Sequence, residues 1–159
     1  MKLCIHCQNT FESKEWVCPK CFNKPKYEKG YISFLDEEKE FDSYDQRFYP
    51  ELFKLESNHF WFRHRSSLIL WVIHNHYQAV RNVMEIGCGT GYMLSKINHG
   101  HPEYFLSGSD LYSEGLDFAK DRVPDASFYQ MDVCNVPFRN EFDLILALDV
   151  LEHIEDEKR

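Results

Sequence analysis

The sequence lacks a long hydrophobic run, an internal repeat and a low-complexity tract. Its longest uninterrupted apolar stretch, residues 68–73, is far shorter than the roughly 20 residues that cross a bilayer. The first residues lead into polar side chains and cysteines, where a secretory signal would have an apolar segment. These absences argue against a membrane span and against secretion, so we expect a soluble, cytoplasmic protein.

An excess of positive charge is also missing. The net charge of the 159 residues is -8, which argues against a broad nucleic-acid surface and against a nucleic-acid partner. Residues 1–30 differ, because their six Lys and three Glu give a balance of +3. Hydrophobic residues make up 43%, enough for a buried core, and the length suits one medium domain with a small appendage.

Four of the six cysteines crowd the N-terminus. Cys4, Cys7, Cys18 and Cys21 form two CxxC pairs separated by ten residues. Two residues between cysteines let both thiolates point at one ion, and two such turns complete a tetrahedral shell. Because cytosolic thiols stay reduced, this spacing predicts a structural Zn²⁺ in a zinc ribbon over residues 1–27. Iron in a rubredoxin-like site, disulfides and idle thiols are the alternatives.

The region after the cysteines changes character twice. Residues 28–48 are acidic and aromatic, and we expect a linker with little regular structure. Helical signals begin at Tyr49, since Pro50 suits a first helical position. A longer helix is predicted from about residue 59 to about residue 77, and residues 49–159 should form the main domain.

Short apolar runs alternate with helical patterns after Arg81. The predicted strands are residues 82–86, 104–109, 127–131 and 142–148, with helices at 92–97 and 113–122 and another beginning at Asp149. This alternation predicts an α/β, Rossmann-like fold with a parallel sheet and helices on both faces.

A glycine-rich turn follows the first of these strands and reads Glu85-Ile86-Gly87-Cys88-Gly89-Thr90-Gly91. Glycines let the backbone turn sharply and approach a ligand without Cβ clashes. The helix after the turn offers free N–H groups to a carboxylate. The G-x-G-x-x-G pattern of dinucleotide sites differs, because here the third glycine comes one residue earlier. A tight turn with no ligand is the alternative interpretation.

Acidic residues end the neighbouring strands. Asp110 ends the second strand, at the spacing where an acid meets ribose hydroxyls, and Asp132 ends the third, where it can accept from an exocyclic amine. Asp149 follows the fourth strand. Carboxyl ends of parallel strands share one rim, where open α/β sheets bind ligands. Capping of the next helix is the alternative role of each aspartate.

Together, the ExGxGxG turn, the strand-end aspartates and Asp149-Val150-Leu151-Glu152-His153-Ile154 resemble class I methyltransferases that depend on S-adenosylmethionine (SAM). Within that superfamily the sequence is most similar to the branch of ubiquinone-pathway O-methyltransferases, over residues 59–157. Related domains have strand order 3-2-1-4-5-7-6, so the resemblance implies a C-terminally truncated, partial sheet of order 3-2-1-4. Its apolar fourth strand would be an open edge, which favours a homodimer through that strand.

The resemblance also implies a cofactor-binding set. Glu85, Gly87 and Gly89 would line the methionine part of SAM, with Arg65, or equally Arg63, at its carboxylate. The members on the adenosine side would be Asp110 at the ribose, Leu111 at the adenine and Asp132 at the adenine amine. The remaining members are Cys88, Gly91, Met131, Val133 and Leu148. His153 is a weak candidate for a catalytic base.

The sequence predicts only the class of the methyl acceptor. Residues 59–63 resemble a segment of methyltransferases near polysaccharide and lipid biosynthesis genes, which suggests a small-molecule, lipid or glycan acceptor. The aromatic residues Phe60, Trp61 and Phe62 favour a place in the core over a substrate platform. A zinc ribbon before a SAM domain also resembles certain ribosomal-RNA guanine methyltransferases, against which the acidic total weighs. A non-enzymatic SAM-binding or zinc-ribbon interaction protein is the third alternative.

Overall fold

The computed structural model describes residues 1–35 and 45–154. Two parts of the sequence-based predictions lie outside these described residues: the acidic stretch of the expected linker, within 36–44, and the continuation of the expected last helix, 155–159. No helix in the described part of the chain is long and apolar enough to cross a membrane.

Strands and helices alternate along the second half of the chain, as the apolar pattern predicts. The strands are β1 (Lys2–Leu3), β2 (Thr10–Phe11), β3 (Lys26–Glu28), β4 (Tyr31–Ser33), β5 (Asn82–Ile86), β6 (Phe105–Asp110), β7 (Ser127–Gln130) and β8 (Leu144–Ala147). The helices are α1 (Tyr49–Glu56), α2 (Phe60–His76), α3 (Tyr92–Gly100) and α4 (Ser113–Arg122), with 3₁₀ turns at Gln46–Phe48, Val133–Asn135 and Leu151–His153. Pro50 lies in the first turn of α1, and the His59 ring accepts from the backbone N–H of Trp61 at the start of α2.

One six-stranded sheet organises the domain, in the order β3-β4-β7-β6-β5-β8. All neighbouring pairs are parallel except β3 with β4. The sequence-predicted strands therefore stand in the order 3-2-1-4, and the mixed α/β fold with a parallel sheet is confirmed. Its core is formed by side chains such as Val83, Leu94, Ile97 and Leu116, all fully buried.

The expectation of little regular structure after residue 27 is wrong for the residues described. The hairpin β3–β4 extends the main sheet, because Ile32 and Ser33 pair with Tyr129 and Gln130 of β7. Tyr31 is only 2% exposed and belongs to the core of the domain. These strands are three residues long, too short for a period-two pattern to distinguish them from a loop.

The two faces of the sheet are covered differently. Helix α3 contacts both α2 and α4, and α3 and α4 pack on β6, so these helices share one face. Phe128 of β7 points into the core on that face, and its neighbour Tyr129 contacts the ring of Trp16. Within the described residues, the expected helical cover of the second face is thus replaced at β7 by the cysteine-bearing N-terminus.

Strand β8 forms one edge of the sheet, since β5 is its only partner among the strands described. Leu144 and Leu146 pack against the core, while Ile145 is 53% exposed on the other face. An apolar edge of this kind favours pairing with another chain. A homodimer through β8 stays a prediction.

The third glycine of the turn is constrained by close packing. Gly91 has a φ of +72°, and a Cβ there would lie 2.8 Å from the Cβ and 2.9 Å from the Cα of Ala119 in α4. We expect Gly91→Ala to lower the free energy of unfolding by about 1–3 kcal/mol, because helix α4 must move away. Urea denaturation measures the change.

Gly100→Ala is the matched control, because its added Cβ would meet only Leu70 Cδ2, at 3.6 Å. Its free energy of unfolding should stay within about 1 kcal/mol of the unaltered chain, or rise slightly, since Ala favours a helix. Equal losses in the two variants would contradict the packing role of Gly91.

Candidate functional site

A cavity of about 760 Å³ opens at the carboxyl ends of β5, β6, β7 and β8. The glycine-rich turn and the residues that follow these strands form one wall, and residues of α1 and α2 form the other. Cavities of about 300–1,000 Å³ suit organic ligands of cofactor size. The position is the rim at which open α/β sheets bind ligands.

The structure brings most of the predicted cofactor-binding residues to this cavity. Those that line it are Arg65, Glu85, Gly87, Cys88, Gly89, Asp110, Leu111, Met131, Asp132, Val133 and Leu148, together with the base candidate His153. Gly91 is outside the lining and packs under α4 instead. Arg63, the alternative to Arg65, is exposed and also outside the lining. Their contacts with a ligand stay predictions.

Asp110 connects three parts of the wall. Its Oδ2 accepts from the Gly89 backbone N–H at 2.8 Å, and its Oδ1 accepts from the Tyr112 backbone N–H at 3.0 Å and from the Tyr49 hydroxyl at 3.3 Å. The carboxylate is only 7% exposed, and burial raises its pKa against the effect of these donors. No side-chain cap begins α4, so the helix-capping alternative does not describe Asp110.

Asp132 does act as a cap. Its Oδ1 accepts from the Cys134 backbone N–H at 2.8 Å, at the start of the Val133–Asn135 turn. Since Asp132 also lines the cavity, the capping bond fixes a carboxylate at the wall and leaves its second oxygen for another donor. The structural and the ligand-binding interpretations are therefore compatible at this position.

Two buried polar atoms in the cavity wall have no hydrogen-bond partner among the described residues: Oε2 of Glu85 and the hydroxyl of Tyr92. Glu85 is 4% exposed, and burial raises its pKa to about 8, against the lowering effects of the Leu94 backbone and of the Arg65 charge. Buried polar groups are nearly always paired in proteins. Unpaired atoms at this wall fit a ligand that supplies their partners.

The Asp149 side chain has a different role from the one expected. Asp149 forms an ion pair with Arg65, whose side chain is 24% exposed. Its φ of +56° turns the chain, and the Leu151–His153 turn begins at Val150 with no side-chain cap. The predicted capping by Asp149 is therefore wrong. The chain after Asp149 passes close to the glycine-rich turn, because a Cβ at Gly87 would clash with Val150 Cγ2.

Sequence reasoning missed a buried polar cluster beside the cavity. Glu56, 5% exposed, accepts from the Thr90 hydroxyl at 2.6 Å and from Arg122 Nη1 at 2.6 Å. Arg122 Nη2 also donates to the Phe53 carbonyl at 2.9 Å. The cluster ties α1 to the glycine-rich turn and to α4. Thr90 and Arg122 are 34 and 66 positions away from Glu56 in the sequence, so no local pattern could predict the cluster.

The aromatic run at the start of α2 divides between two environments. Phe60 and Trp61 are 67% and 57% exposed, so their expected place in the core is wrong. Phe62 lines the cavity, and its ring meets that of Tyr92 at 6.1 Å. Cys88 is buried, which raises the pKa of its thiol well above the usual range, as suits a filler of the turn.

The four N-terminal cysteines converge on one point. Their Sγ atoms all lie within 4.8 Å of one another, and Cys4–Cys21 and Cys7–Cys18 are each 3.6 Å apart. A disulfide needs about 2.05 Å, whereas a tetrahedral ion with Zn–S bonds of about 2.3 Å sets its sulfurs about 3.8 Å apart. All four thiols are free. The donor set therefore fits one tetrahedral metal ion.

Residues 83–159 match a family model described as a methyltransferase domain. The matched residues make up just under half of the chain and include the glycine-rich turn and Asp110. The chain is 30% identical over 81 residues to malonyl-[acyl-carrier protein] O-methyltransferase 1 of Ilyobacter polytropus, covering 49% of this chain and 30% of that protein. The corresponding enzyme of Bacillus anthracis is 25% identical over 79 residues, 48% of this chain and 29% of its own. The chain thus spans less than a third of these curated relatives.

Solved methyltransferases share the fold of this domain. N-methyltransferase NodS of Bradyrhizobium japonicum, in complex with S-adenosyl-L-homocysteine (SAH), superimposes with a TM-score of 0.53 at 24% identity, over 69% of this chain and 60% of that one. CalS10, an amino pentose methyltransferase from Micromonospora echinaspora with bound SAM, gives 0.56 at 18% identity, over 76% and 48%.

We expect the buried carboxyl of Glu85 to make the stability of the main domain depend on pH. Its pKa is about 8 in the folded chain against an ordinary value of 4.5, so the unfolded chain releases this proton first as pH rises. The free energy of unfolding should therefore fall as pH rises from about 4.5 towards about 8. Glu85→Gln should match the unaltered chain at low pH and exceed it by up to about 4 kcal/mol near pH 8.

Urea titrations of both chains at about pH 5 and at about pH 8 measure this difference. Burial raises the pKa of Asp110 in the same direction. Comparing the two chains at each pH cancels that contribution, because Asp110 is present in both. A stability difference that does not change between the two pH values would contradict the assignment to Glu85.

Proposed function

We propose that the chain binds SAM in the cavity at the sheet rim and takes part in methyl transfer to a small-molecule, lipid or glycan acceptor. The observation that carries this proposal is the convergence on one cavity of a bare glycine turn, two strand-end carboxylates and a buried glutamate whose Oε2 has no partner among the described residues. The family match of residues 83–159 supports the same cofactor.

Different residues of the cavity would bind the adenosine part and the methionine part of the cofactor. Asp110 would accept from the ribose hydroxyls, next to the exposed backbone of Gly89, and Leu111 would lie against the adenine. Asp132 would accept from the adenine amine with its uncapped oxygen. On the methionine side Glu85 would meet the positively charged amino group, because a buried carboxyl is stabilised as an anion by a nearby cation.

Arg65 would bind the carboxylate of the cofactor. Its guanidinium holds Asp149 in the structure, and a second carboxylate can share its five N–H donors or displace that partner. Because Asp149 is 65% exposed at its side chain, its release into water costs little. Arg65 therefore offers a positive charge that faces Glu85 across the methionine side of the cavity.

Bound SAM supplies a methyl group on a positively charged sulfur, which leaves as a neutral thioether when an acceptor attacks in line. The protein contributes by placing the acceptor and excluding water. Phe62 and Leu52 give the α1–α2 side of the cavity an apolar wall for this purpose. A hydroxyl acceptor also needs a base, for which His153 in the lining is the candidate.

The activities for which similar proteins are named support a small organic acceptor. The curated relatives are named for O-methylation of malonyl-[acyl-carrier protein], and a structural neighbour for methylation of an amino pentose. The net charge of -8 disfavours a polyanionic acceptor such as RNA. An affinity for RNA that falls steeply with salt would favour the ribosomal-RNA alternative, and SAM binding without transfer to any acceptor would favour a non-enzymatic protein.

Asp110→Asn tests the cofactor site. Because one amide oxygen must replace a charged carboxylate that faces several donors, we expect SAH to bind about 10- to 100-fold more weakly, measured by titration calorimetry. Asp125→Asn, at an exposed position after α4, is the matched control and should bind SAH as tightly as the unaltered chain. Absence of SAH binding by the unaltered chain would contradict the proposed cofactor.

The cysteine cluster is proposed to hold structural Zn²⁺, since four thiolates leave no open position for chemistry. Cys18 is 1% exposed at the centre of the cluster. We expect Cys18→Ser to lose most of its bound zinc and to unfold at a lower temperature, because small metal modules depend on the ion for folding. Cys134→Ser, outside the cluster, should keep one zinc per chain by elemental analysis. Equal zinc content in both variants would count against the site.

A further inference from the structure

The cysteine cluster is joined to the methyltransferase domain through backbone hydrogen bonds. Leu3 N–H donates to the Pro137 carbonyl at 2.8 Å, and Arg139 N–H donates to the Met1 carbonyl at 3.0 Å. Between them Lys2 and Phe138 form an antiparallel bridge. Leu3 immediately precedes Cys4, so the first expected metal ligand is one residue away from this junction.

A second junction surrounds Trp16. Its ring lies 4.8 Å from that of Phe34, 5.4 Å from that of Phe138 and 6.2 Å from that of Tyr129, in edge-on contacts. The Lys2 ammonium lies 4.7 Å over the same ring. Trp16 stands two residues before Cys18, so both junctions are built from residues next to expected ligands. Aromatic contacts of this kind contribute beyond their buried area.

Both junctions meet on the segment that forms the adenine side of the cavity. Segment 131–138 begins at Met131, Asp132 and Val133, which line the cavity, and ends at Pro137 and Phe138, which contact the N-terminus. Its only regular structure is the Val133–Asn135 turn. The segment is therefore held by β7 at one end and by residues adjacent to the cysteine cluster at the other.

The hairpin that follows the cysteines reaches the same wall from the opposite direction. Ser33 Oγ donates to Gln130 Oε1 at 2.9 Å, and Gln130 Nε2 donates to the Leu111 carbonyl at 3.1 Å. Phe34 N–H also donates to the Gln130 carbonyl at 2.8 Å. Leu111, the expected adenine contact, is thus linked to residues that pack on Trp16.

We propose that the metal-loaded cysteine cluster is a positioning element for the adenine side of the cofactor cavity, acting through Trp16 and the bridge from Lys2 to Phe138. This inference rests on the proposed function, in particular on adenine lying between Leu111 and Asp132. Loss of the metal leaves a module too small to hold its own shape. Segment 131–138 then gains conformations, and a ligand must order it on binding, which weakens affinity.

Trp16→Ala tests the junction directly. We expect SAH to bind about tenfold more weakly by calorimetry, well below the unfolding temperature and with zinc content unchanged. 5′-Methylthioadenosine, which lacks the amino-acid half, should weaken by the same factor because the loss falls on the adenosine half. Tyr27→Ala is the matched control, since its ring is 73% exposed. Trp16→Phe should restore most of the affinity by keeping an aromatic contact.

Metal removal tests the same link independently. Treating the full unaltered chain with a chelator should weaken SAH binding about tenfold, with restoration on adding Zn²⁺ back. In Trp16→Ala the chelator should weaken the affinity by a smaller factor than in the unaltered chain, because only the Lys2–Phe138 bridge then remains to be lost and changes in one pathway do not add. Circular dichroism at each step checks that the main domain stays folded.

The outcomes separate this inference from the proposed function. An unaltered chain that binds no SAH contradicts the proposed function. If it binds SAH and Trp16→Ala binds equally well, the positioning role is overturned while the proposed function stands. If Trp16→Ala does not fold, chelation of the unaltered chain decides: a reversible loss of affinity supports the inference, and an unchanged affinity overturns it.

Discussion

The buried carboxylate of Asp110 is the constraint on which the rim of the sheet depends. A charge that is 7% exposed must be paired, and its partners come from the glycine-rich turn, from the residue before α4 and from Tyr49 of α1. The first two of these elements follow β5 and β6, and α1 lies between β4 and β5 in the chain. One side chain at the end of β6 thereby connects three parts of the cavity wall.

Three buried carboxyl groups beside the cavity are satisfied to different degrees. Glu56 is paired with Arg122 and Thr90, and Asp110 accepts three hydrogen bonds. Glu85 alone of these keeps an oxygen with no partner in the described part of the chain. Glu56 and Asp110 thus hold neighbouring elements together, whereas burial raises the pKa of Glu85 to about 8.

The N-terminal region packs against the main domain. Its hairpin adds two strands to the sheet, and Trp16 covers Tyr129 on the face away from the helices. The four thiols of the cysteine cluster lie close in sequence to the two junctions, at Lys2 and at Trp16. Segment 131–138 connects this region to the cavity, because it begins at residues that line the cavity and ends at residues that contact the N-terminus.

Local sequence by itself determined the glycine-rich turn and several of the elements around it. The bounds of β5 and α4, the glycine-rich turn and the CxxC pairs depend on neighbours along the chain, so periodicity and spacing were enough to predict them. Only the tertiary structure decided that Arg65 pairs with Asp149, that Glu56 meets Arg122 and that Ser33 reaches Gln130 across 97 positions. Such pairings depend on the order of strands in the sheet, which brings together residues that share no local pattern. For the same reason Phe60 and Trp61, apolar by sequence, came to lie on the surface.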